Sequence, residues 1–137
     1  MEVIPFNKTT IIGKEIEYIA DAISRNHLSG DGYYTKQCKS FFEQQYHVKK
    51  CLITTSCTHA MELAALLYHI SPGDEFIIPS FTFVSTANAF ILRGAKPIFA
   101  DIRHDTLNVD ETLIETLITK KTKLITNFFS AAGKVFG

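Results

Sequence analysis

Residues 1–50 contain two stretches in which apolar side chains recur every three or four positions, the spacing of an amphipathic helix. They predict helices over Glu15–His27 and Thr35–Tyr46, with Thr35 as a candidate N-terminal cap. The inner faces are predicted to consist of Ile16, Ile19, Ala20 and Ile23 in the first helix and Cys38, Phe41, Phe42 and Tyr46 in the second. Residues 5–13 lack this pattern and are expected to form an extended arm.

From Cys51 onward, short apolar runs alternate with helical patterns. The predicted strands are Cys51–Thr54, Glu75–Pro79, Pro97–Asp101 and Lys123–Phe128. The predicted helices are His59–Tyr68, a segment that follows the Ser80–Asn88 loop and ends near Arg93 before Gly94, and Glu111–Thr119 behind an Asp110 cap. The helix at His59–Tyr68 is apolar nearly all round, so we expect it to be buried.

This alternation predicts an α/β fold, with right-handed crossovers and a mainly parallel sheet covered by helices. We expect one α/β unit over residues 1–137. It comprises an arm and two helices over residues 1–50, a βαβαβαβ core over residues 51–129 and a tail over residues 130–137.

The sharpest change of pattern is the turn from the first predicted strand into its helix, at Thr55-Ser56-Cys57-Thr58. A helix N-terminus offers free backbone N–H groups and positive dipole character, and hydroxyl side chains add donors. Two interpretations fit these residues, a phosphate-binding cup at Ser56–Thr58 and an ordinary helix with a hydroxyl cap. Neither the P-loop pattern nor the dinucleotide-binding glycine pattern occurs in the chain.

Topology favours the cup. In open α/β sheets, ligands bind beyond the carboxyl ends of the strands. Three polar groups follow predicted strands and are expected on that rim: Thr55–Thr58, Ser80–Ser85 and Asp101.

Composition indicates which partners and which cellular location to expect. Acidic and basic residues balance to a formal net charge of zero, which argues against nucleic acid. No apolar run is long enough to span a membrane, and the first residues do not resemble a secretory signal. Three cysteines without such a signal indicate reduced thiols and a cytoplasmic location. Cys51, Cys57 and His59 match no zinc-ligand spacing, so no metal site is expected.

Four segments, in this order and spacing, resemble the sugar-nucleotide aminotransferases. The segments are Thr54–Glu62, Pro72–Asn88, Gly94–Asp101 and Thr106–Asp110, within a likeness that covers about residues 4–126. The family consists of enzymes that use pyridoxal 5'-phosphate (PLP) and have the fold of the aspartate aminotransferase superfamily. The resemblance implies that the chain is the N-terminal part of a PLP fold type I large domain.

The same resemblance implies an activity and its partners. An amino group would be transferred, from glutamate, to a dTDP-4-keto-6-deoxyhexose in surface-polysaccharide synthesis. The enzyme would be a cytoplasmic homodimer with PLP as cofactor and a nucleotide sugar as substrate, without a nucleic-acid or membrane partner.

Residue roles also follow from the resemblance, position by position. Contacts to the cofactor phosphate are placed on Ser56, Cys57 and Thr58, and the ring that stacks on the cofactor pyridine is placed on Phe83. Without the resemblance, a core position is the better interpretation of Phe83. The nucleotide-sugar loop is placed on Gly30, Asp31 and Gly32, where local pattern alone indicates a plain connection.

The likeness stops before the family's catalytic positions. The family's Schiff-base lysine and the aspartate that pairs with the cofactor ring lie beyond the point matched by Thr126. Asp101 and Lys134 do not match those positions. We therefore expect no catalytic residue here, and no transaminase activity from a chain cut short by truncation or frameshift.

Two other interpretations stay open. The chain could be a small α/β binding module for a phosphorylated ligand, which the convergent rim supports. It could also be an interaction fragment, because an unpaired edge strand at Lys123–Phe128 invites association.

Overall fold

The structure, a computed structural model, describes residues 4–5 and 7–126. It divides the chain into two compact units, and the boundary falls between Ile53 and Thr54. The sequence pattern predicts a change of organisation between residues 50 and 51, but inside a single unit. The predicted tail over residues 130–137 and the last two residues of the predicted strand Lys123–Phe128 lie outside the described residues.

The first unit contains two helices, α1 (Glu15–Ser24) and α2 (Tyr33–Gln45). The Glu15 carboxylate accepts hydrogen bonds from the backbone N–H groups of Ile12 and Gly13, at 3.0 and 2.9 Å. These bonds lower the pKa of Glu15. They also anchor the chain as it enters α1.

The cap predicted at Thr35 is wrong. The N-cap of α2 is Gly32, which has no side chain to bond with, and Thr35 lies inside the helix. Helix α1 ends at Ser24 rather than at His27, and Asn26 beyond it has a positive φ of 53°. Asparagine tolerates that left-handed conformation better than most residues, which explains the earlier end.

The predicted inner faces of α1 and α2 are largely exposed. Ile19 is 57% exposed and Phe41 60%, and neither helix contributes a buried residue to the described part of the chain. The contacts between the helices are polar and aromatic: Tyr34 Oη donates to Asp21 Oδ2 at 2.7 Å, and the rings of Tyr18 and Tyr34 meet edge to face. An apolar stripe becomes buried only against another layer, and two short helices do not provide one.

The second unit is built on a parallel sheet, as predicted. Strands β1 (Glu75–Pro79), β2 (Lys96–Ala100) and β3 (Thr122–Ile125) pair in the order β2-β1-β3. Both pairings are parallel. The helices are α3 (Cys57–Leu67), α4 (Val84–Ile91) and α5 (Glu111–Leu117).

The strand predicted at Cys51–Thr54 is absent. The structure places no strand there, and the side chains of Leu52 and Ile53 are exposed. An apolar run becomes a strand only where another backbone can pair with it. Because β2 and β3 occupy both sides of β1, the run could pair only at an outer edge of the described sheet, and it does not. The described core therefore has three strands instead of the four expected.

Successive side chains of β1 point to opposite faces of the sheet. Helices pack on both faces and cover these side chains. Phe76 and Ile78 belong to one core cluster, with Ala65 of α3 and Phe90 of α4. Ile77 belongs to a second cluster, which is completed by side chains of β2 and α5. The rings of Phe76 and Phe90 lie 5.0 Å apart in the first cluster.

Helix α3 is less buried than predicted. Ala65 is its only buried residue, and Leu67 is 62% exposed. The described chain packs α4 against one side of α3, and the remaining apolar surface faces solvent. Two local predictions are confirmed: Asp110 caps α5 by accepting from Thr112 N at 3.0 Å, and Gly94 has a φ of 85°. A Cβ at Gly94 would lie 2.7 Å from the Pro72 ring.

Candidate functional site

The rim of the sheet begins where β1 and β2 end. Ser80 and Asp101 are the residues that directly follow these two parallel strands. Ser80 N donates to Ala100 O at 2.8 Å, and Ser80 Oγ donates to Asp101 Oδ1 at 3.4 Å. Two of the three predicted rim segments thus contact each other directly.

The N-terminus of α3 is capped by Ser56. Its Oγ accepts from His59 N at 3.1 Å, and its backbone is extended, as an N-cap requires. Among the described residues, no acceptor bonds the backbone N–H groups of Cys57 and Thr58. The hydroxyl cap is therefore realised. It does not exclude an anion contact, because the Ser56 hydroxyl still has its proton to donate.

A hydrogen bond joins the first turns of α3 and α4. Thr58 Oγ1 donates to Ser85 Oγ at 3.1 Å, although the two residues are 27 positions apart. Both side chains are half-buried. The structure thus joins the predicted rim residues in two pairs, Thr58 with Ser85 and Ser80 with Asp101.

The hydroxyl of Thr55 has a partner that sequence reasoning did not identify. Thr55 Oγ1 lies 2.6 Å from His59 Nδ1. The spacing of four residues was visible in the sequence. What it could not show is that Thr55 lies before the first turn of α3 with its hydroxyl turned toward His59.

Phe83 is not a core residue. It is the N-cap of α4, with an extended backbone, and its side chain is 75% exposed. The ring is therefore available to a planar ligand, which a buried aromatic side chain would not be.

The loop Gly30–Gly32 lies in the first unit, beside a cavity of about 170 Å³. Of the three residues, only Gly32 lines the cavity. Asp31 has a φ of 61°, and its Oδ1 accepts from Lys39 Nζ at 2.5 Å, which lowers the pKa of Asp31. A Cβ at Gly32 would approach the His27 ring to 3.1 Å.

Two tyrosines next to the loop, Tyr33 and Tyr34, line this cavity together with Arg25, which the sequence pattern did not single out. The Arg25 guanidinium lies 3.7 Å from the centre of the Tyr33 ring, and both residues line the cavity. Arg25 Nε also donates to Asp21 Oδ2, which lowers the pKa of Asp21. That carboxylate in turn raises the pKa of Tyr34, whose hydroxyl donates to it. The spacing of Asp21 and Arg25 was the available signal.

The described residues contain neither a cluster of metal-ligating side chains nor a membrane-spanning helix. Residues 4–5 and 7–126 contain no group of three or more His, Cys, Asp or Glu side chains placed to hold a metal ion. None of the helices that the structure describes has both the length and the apolarity needed to cross a bilayer.

Comparison with known proteins identifies relatives over most of the chain. The model of the DegT/DnrJ/EryC1/StrS aminotransferase family matches residues 9–134, and so runs past Thr126. The chain is 36% identical over 125 residues to a GDP-perosamine synthase of Escherichia coli O157:H7, covering 91% of this chain and 34% of that protein. It is 36% identical over 124 residues to a UDP-4-amino-4-deoxy-L-arabinose–oxoglutarate aminotransferase of Shewanella sediminis, covering 90% of this chain and 32% of that protein.

Solved structures give the same result. A putative sugar aminotransferase, Spr1654 of Streptococcus pneumoniae, superposes in its PMP form with a TM-score of 0.79 and 32% identity, covering 90% of this chain and 31% of that one. Its PLP form superposes with a TM-score of 0.77. A 3-amino-5-hydroxybenzoic acid synthase superposes with a TM-score of 0.79 at 27% identity, covering 89% of this chain and 32% of that one.

The chain spans about a third of the length of the curated relatives it matches. The superpositions confirm the predicted fold, the N-terminal part of a PLP fold type I large domain. The family match covers well over half of the chain, as the resemblance predicted. The chain therefore belongs to the DegT/DnrJ/EryC1/StrS aminotransferase family.

Proposed function

We propose that this chain is the part of a PLP-dependent nucleotide-sugar aminotransferase that binds the phosphate of the cofactor. The observation that carries the proposal is the first turn of α3, where the backbone N–H groups of Cys57 and Thr58 have no acceptor among the described residues and the Thr58 hydroxyl lies 3.1 Å from Ser85 Oγ. Solved relatives of the same fold are described in PLP and PMP forms, which supports this choice of ligand.

The chemistry of the donors fits a phosphate group. The N–H groups of Cys57 and Thr58 belong to the first turn of a helix of 11 residues, where the helix dipole is positive. A phosphate oxygen accepts hydrogen bonds from such groups. The hydroxyls of Ser56 and Thr58 add two neutral donors. These residues would hold the cofactor by its phosphate.

Phe83 would hold the ring. Its exposed face suits offset stacking on a conjugated ring, which contributes about 0.5–1.5 kcal/mol beyond area burial. When bound, PLP supplies the electron sink that amino-group transfer requires. The residues of this chain bind and orient the cofactor.

We propose that the 137-residue chain does not transaminate by itself. No lysine here matches the family position that carries the cofactor. Lys96 and Lys123 lie near the amino ends of β2 and β3, at the opposite edge of the sheet from Asp101. Lys39 is paired with Asp31 in the other unit.

For the complete enzyme we propose glutamate as the amino donor and a dTDP-4-keto-6-deoxyhexose as the acceptor. The four segments named in the sequence analysis resemble those of a dTDP-4-amino-4,6-dideoxygalactose transaminase of enterobacterial surface-polysaccharide synthesis, which supports this choice of acceptor. The names of two relatives contain GDP and UDP instead of dTDP. The identity of the nucleotide is therefore the most specific element of the proposal. The roles of Gly30, Asp31 and Gly32 as a nucleotide-sugar loop, the homodimer and the cytoplasmic location stay predictions.

Binding of pyridoxamine 5'-phosphate to the purified 137-residue chain tests the proposal. This compound has no aldehyde, so it cannot react with surface lysines as PLP does. We expect it to bind more tightly than pyridoxamine, which lacks the phosphate. Thr58→Val should weaken only binding of the phosphorylated compound, and Thr116→Val on α5, whose hydroxyl bonds to Leu113 O, is the matched control. Equal affinity for the two compounds would refute the phosphate site.

The activity test is separate. The chain, PLP, glutamate and a dTDP-4-keto-6-deoxyhexose are incubated together, and amino-sugar formation is followed by chromatography. We expect no turnover, and product formed above the level without protein would contradict the claim of inactivity.

A phosphate-binding module is the second candidate. It is favoured by one observation: the rim and the core that supports it both lie in the second unit. A module that recognises phosphate alone should bind glycerol phosphate as tightly as pyridoxamine 5'-phosphate, whereas a cofactor site should prefer the compound with the ring.

A further inference from the structure

The hydrogen bond between Thr58 and Ser85 carries an inference that rests on the proposed function. Thr58 Oγ1 lies 3.1 Å from Ser85 Oγ, across the gap between the first turns of α3 and α4, and either hydroxyl can be the donor in this bond. When Thr58 is the donor in this pair, it can accept a hydrogen bond from a ligand but has no proton left to donate.

A phosphate oxygen needs the opposite arrangement. It only accepts, so Thr58 must turn its proton toward the anion in order to contribute a donor. The bond between the helices then persists only if Ser85 becomes the donor. Ser85 can do so, because a hydroxyl both donates and accepts and because the two oxygens already lie 3.1 Å apart.

We propose that Ser85 is a positioning residue for the phosphate site. Its hydroxyl is the donor to Thr58 Oγ1 when the anion binds, which holds the Thr58 oxygen in place and leaves the Thr58 proton for the phosphate. Ser85 acts through Thr58 and needs no contact with the ligand. Binding of the anion thus decides which of the two hydroxyls donates: Ser85 donates to Thr58, and Thr58 donates to the phosphate.

Replacement of Ser85 separates this role from a structural one. Ser85→Ala removes this donor and is tolerated by α4, since alanine is the best helix former. We expect it to weaken binding of pyridoxamine 5'-phosphate about fivefold, the effect of one neutral hydrogen bond, and to leave pyridoxamine binding unchanged. Ser85→Thr keeps the hydroxyl and should restore most of the affinity.

A double-mutant cycle tests whether Ser85 acts through Thr58. With Thr58→Val in place there is no proton to direct, so adding Ser85→Ala should cause no further loss. Additive losses would overturn the inference, as would phosphate-dependent binding that Ser85→Ala leaves unchanged.

A failure of the proposed function gives a different result from a failure of this inference, because it is seen in the unaltered chain. If the unaltered chain binds pyridoxamine 5'-phosphate and pyridoxamine equally, the phosphate site itself is refuted, and the inference falls with it. Thermal unfolding of each variant, followed by circular dichroism, checks that changes in affinity are read from folded protein.

Discussion

Replacing Phe83 by leucine tests the ring-binding half of the site. The Phe83 side chain is 75% exposed and belongs to neither core cluster. Leucine keeps an apolar side chain of similar reach and removes only the flat face. Because so little of the ring is buried, the free energy of unfolding should change by no more than about 0.5 kcal/mol, the range of ordinary surface substitutions. A buried phenylalanine would behave differently, since its truncation costs about 3–5 kcal/mol.

The expected loss of binding follows from the stacking energy. Offset stacking contributes about 0.5–1.5 kcal/mol, and each 1.4 kcal/mol is about tenfold in Kd, so Phe83→Leu should weaken binding about twofold to tenfold. The loss should be equal for pyridoxamine 5'-phosphate and for pyridoxamine, because the ring is common to both. Substitutions at Thr58 and Ser85 should instead affect the phosphorylated compound alone.

The assay is a titration followed by the fluorescence of the ligand. The chain contains no tryptophan, so intrinsic emission from that residue does not interfere. Phe81→Leu is the matched control, since Phe81 lies in the same segment, is 63% exposed and has no assigned role. The reasoning is refuted if Phe83→Leu leaves both affinities unchanged, or if Phe81→Leu lowers them as much.

Substitutions at Ser56, Gly94 and Asp74 test the cap of α3, a glycine of positive φ and an acidic turn. Ser56→Asp keeps a capping oxygen but adds a negative charge, so the melting temperature should hold while phosphate-dependent binding is lost; Ser56→Ala should cost about 1 kcal/mol of stability. Gly94→Ala should destabilise the chain by at least about 1 kcal/mol in urea unfolding, because φ is 85° and a Cβ would lie 2.7 Å from a proline ring carbon. Gly30→Ala, with no atom within 4 Å of the added Cβ, is its control. Asp74→Asn should reduce the loss of stability on acidification, measured by urea unfolding at a series of acidic pH values. Hydrogen bonds from Ser71 lower the pKa of Asp74, so its contribution is present above the ordinary value of about 3.9 and is lost as pH falls through the lowered value.

Each of these has an outcome that would contradict it. Unimpaired phosphate-dependent binding by Ser56→Asp would show that Ser56 is a cap and nothing more. Equal stability of Gly94→Ala and Gly30→Ala would remove the argument from positive φ. An unchanged acid transition in Asp74→Asn would mean that other carboxylates set it.

The candidate site illustrates which features a sequence can predict. Hydroxyl residues between an apolar run and an apolar helical pattern predicted the N-terminus of α3, because capping depends on residues only three positions apart. The parallel topology followed from the order of the elements and predicted that Ser80 and Asp101 share a rim. Their contact is confirmed. The exposure of Phe83 was not predictable from the residues alone, since an aromatic side chain in an apolar segment suits a core equally well.

The pattern of the chain determined the positions of the five helices, of β1 to β3, and of the Asp110 cap, because these depend mainly on residues close together in sequence. Tertiary structure alone decided whether each apolar run had a partner. The run at Cys51–Thr54 has the pattern of a strand but lacks a neighbouring backbone among the described residues, so it is not one. Tertiary structure also set the distance between Thr58 and Ser85, because that distance depends on how α3 and α4 pack on β1. Hydrogen bonding and burial are properties of pairs of segments, and one segment's residues do not specify the other's position.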